Sequence, residues 1–362
     1  MKDGYIPTLD GWRAIAVFSV IAFHDRVHHF GPISDSIPHS LGALGVDLFF
    51  AISGLLICSR LLDEERVHQH ISLKSFYVRR LCRILPPALL FLTVLGVLGS
   101  LHVLRVDFAS WLCSLIFVNN YYFAHLRNPD VSLFTNHFWS LAVEEHFYLV
   151  LPGILYFSPK RHLRVLTILI AAFLIYSITV HMNQRPSDTM AGFAELRTEM
   201  RINSLLFPAL LAVLLQKSRF REFCAHWLPT FLVFYLLLVA LILCASLNYI
   251  KAFFWIVPYG FPFLILGTVL HPNSYFSRML ETAPLRYLGR ISYSLYLWQQ
   301  LFFIDLHLSF RAPWPASLLQ DSPWNLVAAI LLASGSYYFV EKPFIRLGHR
   351  LAPPATPGHH NL

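Results

Sequence analysis

Apolar runs of close to twenty residues recur along almost the whole chain, and no other feature constrains its fold so strongly. A helix needs about 20 predominantly apolar residues to cross the hydrocarbon core of a bilayer. Such runs read as helices near residues 10–29, 41–61, 84–103, 137–157, 164–182, 201–216, 228–247, 252–270, 289–308 and 323–345. An eleventh run, Phe108 to Phe123, is ambiguous, because its strongly apolar part, Trp111 to Val118, stops at Asn119-Asn120-Tyr121-Tyr122. Composition agrees with lipid as the solvent. Hydrophobic residues make up 56% of the 362 and charged residues 13%, about half the charged share of a soluble domain. Met1 to Arg13 lacks the basic segment and small-residue cleavage site of a signal peptide. Cys58, Cys82, Cys113, Cys224 and Cys244 are scattered mostly through apolar runs, so no disulfide framework is expected.

The chain is basic, with 28 Lys+Arg against 20 Asp+Glu. Nucleic-acid binding and the cytoplasmic-loop bias of a polytopic membrane protein compete to explain that excess. Placement decides. If ten helices span, the N-terminus is inside and the ambiguous run re-enters without crossing, about 20 basic residues fall inside and 8 outside. The inside set holds the clusters Arg60–Arg83, Lys160–Arg164 and Lys217–Arg221. Were the ambiguous run to cross, every later cluster would change sides. The expectation is therefore an all-α polytopic bundle of about ten transmembrane helices plus a re-entrant segment, N-in and C-in, with no nucleic-acid partner. One membrane domain over 1–350 is expected, with 351–362 a Pro-rich disordered cytoplasmic tail.

Ionisable groups inside a membrane are expensive and mark functional sites by default. Here they are Asp10, Arg13 and His24, then Asp47, then Arg79, Arg80 and Arg83, then Glu144, Glu145 and His146, with Asp305 and Glu341 near the last helix ends. Arg13 and His24 are eleven residues apart, which places them within about 20° of one helix face and about 16 Å apart along the axis. Arg80 and Arg83 stand one turn apart, and a convergent set of guanidinium groups makes a phosphate clamp. Pro86-Pro87 are expected to kink that helix where it begins. Glu144 and Glu145 point about 100° apart on a helix, so one is expected to face the ligand and pair with a cavity arginine. The 18 histidines form no HExxH and no tight cluster, so no metal is expected.

Six stretches then line up. They are Leu9-Asp-Gly-Trp-Arg13-Ala-Ile-Ala-Val with His24, Gly45-Val-Asp-Leu-Phe-Phe-Ala-Ile-Ser-Gly-Leu-Leu-Ile57, and Arg79-Arg-Leu-Cys-Arg-Ile-Leu-Pro86. Trp139-Ser-Leu-Ala-Val-Glu-Glu-His-Phe-Tyr148, Leu288-Gly-Arg-Ile-Ser-Tyr-Ser-Leu-Tyr-Leu-Trp298-Gln-Gln and Tyr337-Tyr-Phe-Val-Glu341-Lys-Pro-Phe344 follow. Together, in this order over nearly the whole chain, they resemble acyltransferase family 3, polytopic membrane enzymes that O-acetylate sugars and related acceptors. The resemblance implies a bundle of about ten helices in a bacterial inner membrane. It implies acetyl-CoA (acyl-CoA) as donor and a carbohydrate or glycolipid as acceptor. The family's Arg–His pair falls on Arg13 and His24, and its Arg-x-x-Arg on Arg80 and Arg83. Many members carry a further C-terminal hydrolase-like domain, and none is read in this chain. Gln299 follows Trp298 where a histidine is frequent, so no second catalytic histidine is implied there.

On this reading Arg80 and Arg83, with Arg79 and Arg13, hold the donor's phosphates. His24 acts as general base on the acceptor hydroxyl, or carries the acyl group in passing. Asp47 and Glu144 are the candidates to orient it. Ser140, Tyr293 and Trp298 are the candidates to contact substrate, with Ser140, Tyr293 or a cavity arginine stabilising the oxyanion. A lipid, glucan or antibiotic acceptor is the nearest alternative. A transporter also lines a polar path with Arg, His and Glu, but the inverted repeats that mark many transporters are not found.

Overall fold

A computed structural model describes residues 5–24, 40–125, 133–183, 195–228, 236–237, 250–303, 319 and 323–353, with side chains left out at 40–43 and 250–258. Most of the run 228–247, the charges Asp305 and Arg311, Cys244 and the tail from 354 onward lie outside the described residues, as does most of the segment joining the last two predicted helices. Every regular element among the described residues is helical. In chain order these are α1 (Pro7–His24), α2 (Ser40–His68), α3 (Leu73–Ser100), α4 (Phe108–Leu115), α5 (Asn119–His125), α6 (Phe138–Phe157) and α7 (His162–Asn183). Then come α8 (Thr198–Arg201), α9 (Asn203–Leu215), α10 (Ser218–Trp227), α11 (Ile250–Leu270), α12 (Tyr275–Leu280), α13 (Ala283–Arg290) and α14 (Ser292–Trp298). A 3₁₀ turn, Gln299–Leu301, extends α14. Finally α15 (Trp324–Ser336) runs through a π-helical turn, Tyr337–Glu341, into α16 (Lys342–Leu351).

Three of these helices, among the described residues, are long and apolar enough to cross a bilayer: the Leu44–His68 part of α2, then α3 and α7. The protein is thus an all-helical, polytopic membrane protein. Burial separates the three. The apolar window of α2 is 83% buried inside the protein, that of α3 33% and that of α7 11%, so α2 is the hub and α7 faces outward. Ile168, Ile175, Ile178 and Met182 of α7, with Leu89 and Val97 of α3, are exposed large apolar side chains, the surface a lipid-facing helix requires.

The ambiguous run breaks into α4 and α5. Asp107 caps α4 by accepting from Ser110 N at 2.8 Å. The other end closes with bonds from Phe117 N to Ser114 O (3.2 Å) and Val118 N to Cys113 O (2.9 Å), a Schellman pattern. It places Phe117 at φ 55°, a left-handed conformation that a bulky side chain adopts only under local constraint. Eight residues reach about 12 Å, well short of a bilayer core. Two other expectations are corrected. The helix expected from residue 84 begins at Leu73, where Ser72 accepts from Ser75 N, so Pro86 and Pro87 lie inside it rather than at its start. The run 289–308 is divided, because α13 ends at Arg290 and α14 starts at Ser292.

Two glycines set how closely the hub packs. A Cβ on Gly54 of α2 would stand 2.3 Å from Leu205 O of α9, and one on Gly289 of α13 would stand 1.8 Å from Asp10 O of α1. Helices crossing at such backbone contact must part to admit a side chain there. Two of the quoted motifs, Leu9-Asp-Gly-Trp-Arg13 and Leu288-Gly-Arg290, meet at the second crossing.

Candidate active site

Five helices, α1, α2, α3, α6 and α14, enclose a cavity of about 850 Å³ counted with its open mouth. Its charged wall holds Arg13, Arg80, Arg83, Glu144 and Glu145, and its polar wall Ser53, Ser140, Tyr148, Tyr293 and Tyr296. Four of the expected cationic and acidic site residues, Arg13, Arg80, Arg83 and Glu144, are therefore brought together, along with Ser140 and Tyr293.

Each cation has a different holder. Asp10, 3% exposed, takes Arg13 Nη1 at 3.1 Å and the Tyr5 hydroxyl at 2.5 Å. Arg286 lies over the Tyr5 ring at 5.6 Å. Burial and the Asp10 bond hold the Tyr5 phenol above its ordinary value. Arg80 lies 4.9 Å over the Tyr148 ring and 5.8 Å over Phe76, so aromatic faces fix its guanidinium without neutralising it. Arg83 stands near Glu341, whose Oε2 accepts from Ser294 Oγ at 2.7 Å. Arg60, which the sequence reading counted only as an inside charge, is in electrostatic reach of Arg13, Arg79, Arg80 and Arg83. Outside the membrane-spanning segments, partial burial and then Arg79, Arg60 and Arg83 hold the His349 imidazole below its usual 6.5.

Arg79 turns away from the cavity. It bonds Glu64 at 3.3 Å and the carbonyls of Ala352 and Pro353 at 3.4 Å, tying α3 to the end of α16. Asp47 does not reach the cavity wall either. It accepts from Arg201 Nη2 at 2.7 Å, with Asp47 1% and Arg201 3% exposed, and so joins α2 to α8.

Both Glu144 and Glu145 line the cavity, contrary to the expectation from their 100° separation, because its wall follows α6 round from α2 toward α14. Glu144 accepts from the hydroxyls of Ser53 and Tyr148. No arginine pairs with it among the described residues, so that expectation also gives way: hydroxyls rather than a guanidinium hold the carboxylate.

His24 lies behind the cavity, not on its wall. Ser140 and Tyr296 line the cavity 2.5 Å apart, each within 3.1 Å of the His137 carbonyl. Behind that pair is a second, buried polar group. Gln299 neighbours His24, its Nε2 donating to Gln300 Oε1 at 3.4 Å, and the His24 and His137 rings are close enough to feel each other's charge. His137 is 3% exposed, with its ring edge-on to Phe91 at 5.4 Å. Trp298, also 3% exposed, meets the same Phe91 at 5.4 Å. Sequence reasoning passed over His137. A lone histidine beside Phe138-Trp139 carries no periodic signal, and only the fold brings it to His24.

Comparison with known proteins identifies the family. The family described as "Acyltransferase domain" matches residues 6–338. The chain is 28% identical over 387 residues to "Putative O-acetyltransferase SACOL0978" of Staphylococcus aureus (strain COL), an alignment covering 96% of this chain and 58% of that protein. It is 29% identical to "Putative peptidoglycan O-acetyltransferase YrhL" of Bacillus subtilis (strain 168), covering 96% and 56%. It is 27% identical to "O-acetyltransferase OatA" of Staphylococcus aureus (strain NCTC 8325 / PS 47), covering 96% and 58%. The chain thus spans a little over half the length of these relatives. No solved structure matches it.

Proposed function

From the premise that this chain belongs to the acyltransferase family matched above, we propose that it moves an acyl group, acetyl in the first instance, from acyl-CoA to a hydroxyl of a carbohydrate or glycolipid. The bacterial relatives, one of them named for peptidoglycan, support a carbohydrate acceptor and a multi-pass position in a bacterial plasma membrane. The proposed topology keeps ten spanning helices, N-in and C-in, with α4 and α5 as the re-entrant segment and one membrane domain over 1–350. The cavity then opens to the cytoplasm, where acyl-CoA is made.

One observation carries the reading: an arginine-walled cavity whose Ser140–Tyr296 pair bonds the carbonyl of His137, the residue whose ring neighbours His24. Arg80 and Arg83, with Arg13 and Arg60, bind the donor's phosphates, which guanidinium forks suit. The pantetheine arm runs past Ser140 and Tyr296 to His24. The acceptor oxygen attacks the thioester carbonyl carbon as His24 takes its proton. The C–S bond then breaks, and the CoA thiolate recovers the proton from His24. A general base of this kind contributes about 10²–10⁴-fold. Asp47 and Arg79 hold helices in place.

The test uses purified protein in nanodiscs with acetyl-CoA, a panel of glycans and a thiol reagent. Acceptor-dependent thiol release is expected, lost in His24→Ala while CoA still raises the melting point. That protection should vanish in the Arg80→Ala/Arg83→Ala variant. Near-wild-type transfer by His24→Ala would remove its role, and unchanged CoA protection in the double variant would remove the phosphate clamp.

A further inference from the structure

Attack on a thioester carbonyl builds negative charge on its oxygen. In a site shut off from water, preorganised donors must meet that charge. They must also be free, since a hydrogen committed to another acceptor cannot serve the oxyanion.

The hydroxyls nearest the cavity fail this requirement. Tyr293 donates to Ile84 O at 2.9 Å. The hydroxyls of Ser140 and Tyr296 have two protons between them; one serves their mutual bond and the other the His137 carbonyl. Tyr148 donates toward Glu144 and Ser53.

The buried group behind them is the reverse case. Nδ1 of His24, both ring nitrogens of His137, Nε1 of Trp298 and Oε1 of Gln299 are buried with no partner among the described residues. More than nine in ten buried polar groups in proteins are bonded, so orphans gathered in one place point to a ligand that bonds them. Indole nitrogen is a donor only. A neutral imidazole carries one N–H in either tautomer, and since neither His137 nitrogen has a partner, a free donor follows whichever holds the proton.

We infer that the Trp298 Nε1–H and the ring N–H of His137 form the oxyanion hole for the transfer that His24 begins; this rests on the acyltransferase reading. As the acceptor oxygen bonds to the thioester carbon, His24 takes its proton and the carbonyl π pair moves to oxygen, where the two N–H groups receive it. The pair returns as the C–S bond breaks, and the departing thiolate takes the proton from His24. Both residues are catalytic, since they touch a reacting atom, and each is already held by its ring contact with Phe91.

Trp298→Phe keeps a ring on Phe91 and deletes the N–H. His137→Phe does likewise, and His137→Asn returns a donor. Each is assayed for thiol release beside wild type and His24→Ala, with melting points and CoA protection read on the same samples. Trp298→Phe and His137→Phe are expected to lower kcat by about 10²–10³-fold, with KM for acetyl-CoA and melting unchanged. His137→Asn should recover roughly tenfold over His137→Phe, since it restores one donor. A folded variant whose kcat stays within about threefold of wild type, far below the loss of one such donor, excludes that donor. Both doing so overturns the hole, as does a loss carried by KM alone. Should Trp298→Phe not fold, the His137 pair decides. Absence of acceptor-dependent thiol release in wild type, or full activity in His24→Ala, would instead overturn the acyltransferase reading.

Discussion

Replacing Gly289 by alanine should harm activity far more than stability. The new Cβ would stand 1.8 Å from Asp10 O, 2.4 Å from its carbonyl carbon and 2.7 Å from its Cα. All three are backbone atoms, so no rotamer change relieves the clash. To reach even a 3.0 Å contact, α1 and α13 must part by about 1.2 Å. Overpacking of this kind costs about 1–3 kcal/mol, and alanine in a helix returns up to about 1 kcal/mol relative to glycine. The net is therefore about 0–2 kcal/mol, and the helices stay folded. Function is less forgiving. The Asp10 carboxylate holds Arg13 at 3.1 Å, and Arg13 is part of the cavity wall. Misplacing a positioning group by about 1 Å costs on the order of 100-fold. The expected result is kcat/KM for acetyl-CoA reduced about 100-fold with a small drop in melting point. Gly153 is the control, because a Cβ there meets nothing within 4 Å; Gly153→Ala should be fully active and no less stable. Wild-type kcat/KM in Gly289→Ala, or an equal loss in Gly153→Ala, would refute the crossing argument.

Two further perturbations separate neighbouring roles. The folded-state pKa of His349 is depressed, so it lends stability above about pH 6.5 that is lost as pH falls through its folded value. Melting of the CoA-free protein should therefore fall more steeply in acid for wild type than for His349→Gln. Added CoA should shrink that difference, because an anion beside Arg60 and Arg83 raises the His349 value back; melting curves from pH 8 to about 5 check this around the ordinary histidine value, and a gap that CoA leaves untouched would put His349 outside the phosphate site. Asp47→Ala should destabilise by about 3–5 kcal/mol, because it leaves the Arg201 charge buried, whereas Asp47→Leu/Arg201→Met should be much milder. A double-mutant melting cycle tests this, and a stable but inactive Asp47→Ala would return Asp47 to the chemistry.

Much of the architecture was legible because a bilayer demands a local signal. Each apolar run had to supply its own length, and the runs that became α6, α7 and α11 were placed within two residues of both ends. The misses have local chemical causes. Ser72 caps α3, which starts eleven residues before its apolar run, and Leu62 to His68 extends α2 by about two charged turns that hydropathy overlooks. Phe117 in a left-handed conformation divides a run whose composition alone would allow one helix. Of the site, the sequence pattern offered Arg80 and Arg83, which both line the cavity, but could not show the contact of Ser140 with Tyr296. That pair joins residues 156 positions apart, and no periodicity reports such a contact.

Ion pairing inside the protein leaves part of the proposed donor site's charge unmatched. Asp10 holds Arg13 at 3.1 Å and Glu64 holds Arg79 at 3.3 Å. Among the described residues, Arg60, Arg80 and Arg83 make no carboxylate ion pair within 4.0 Å, and Glu144 is held by hydroxyls instead. Three like charges so close together repel one another, and removing charge from water makes the arrangement costlier still. A folded chain tolerates it where an anion from outside relieves it. With Glu144 and Glu145 on the same wall, the proposed donor, a nucleotide with a pyrophosphate and a further phosphate, would lie on the arginine side. A neutral or cationic substrate would leave that repulsion in place.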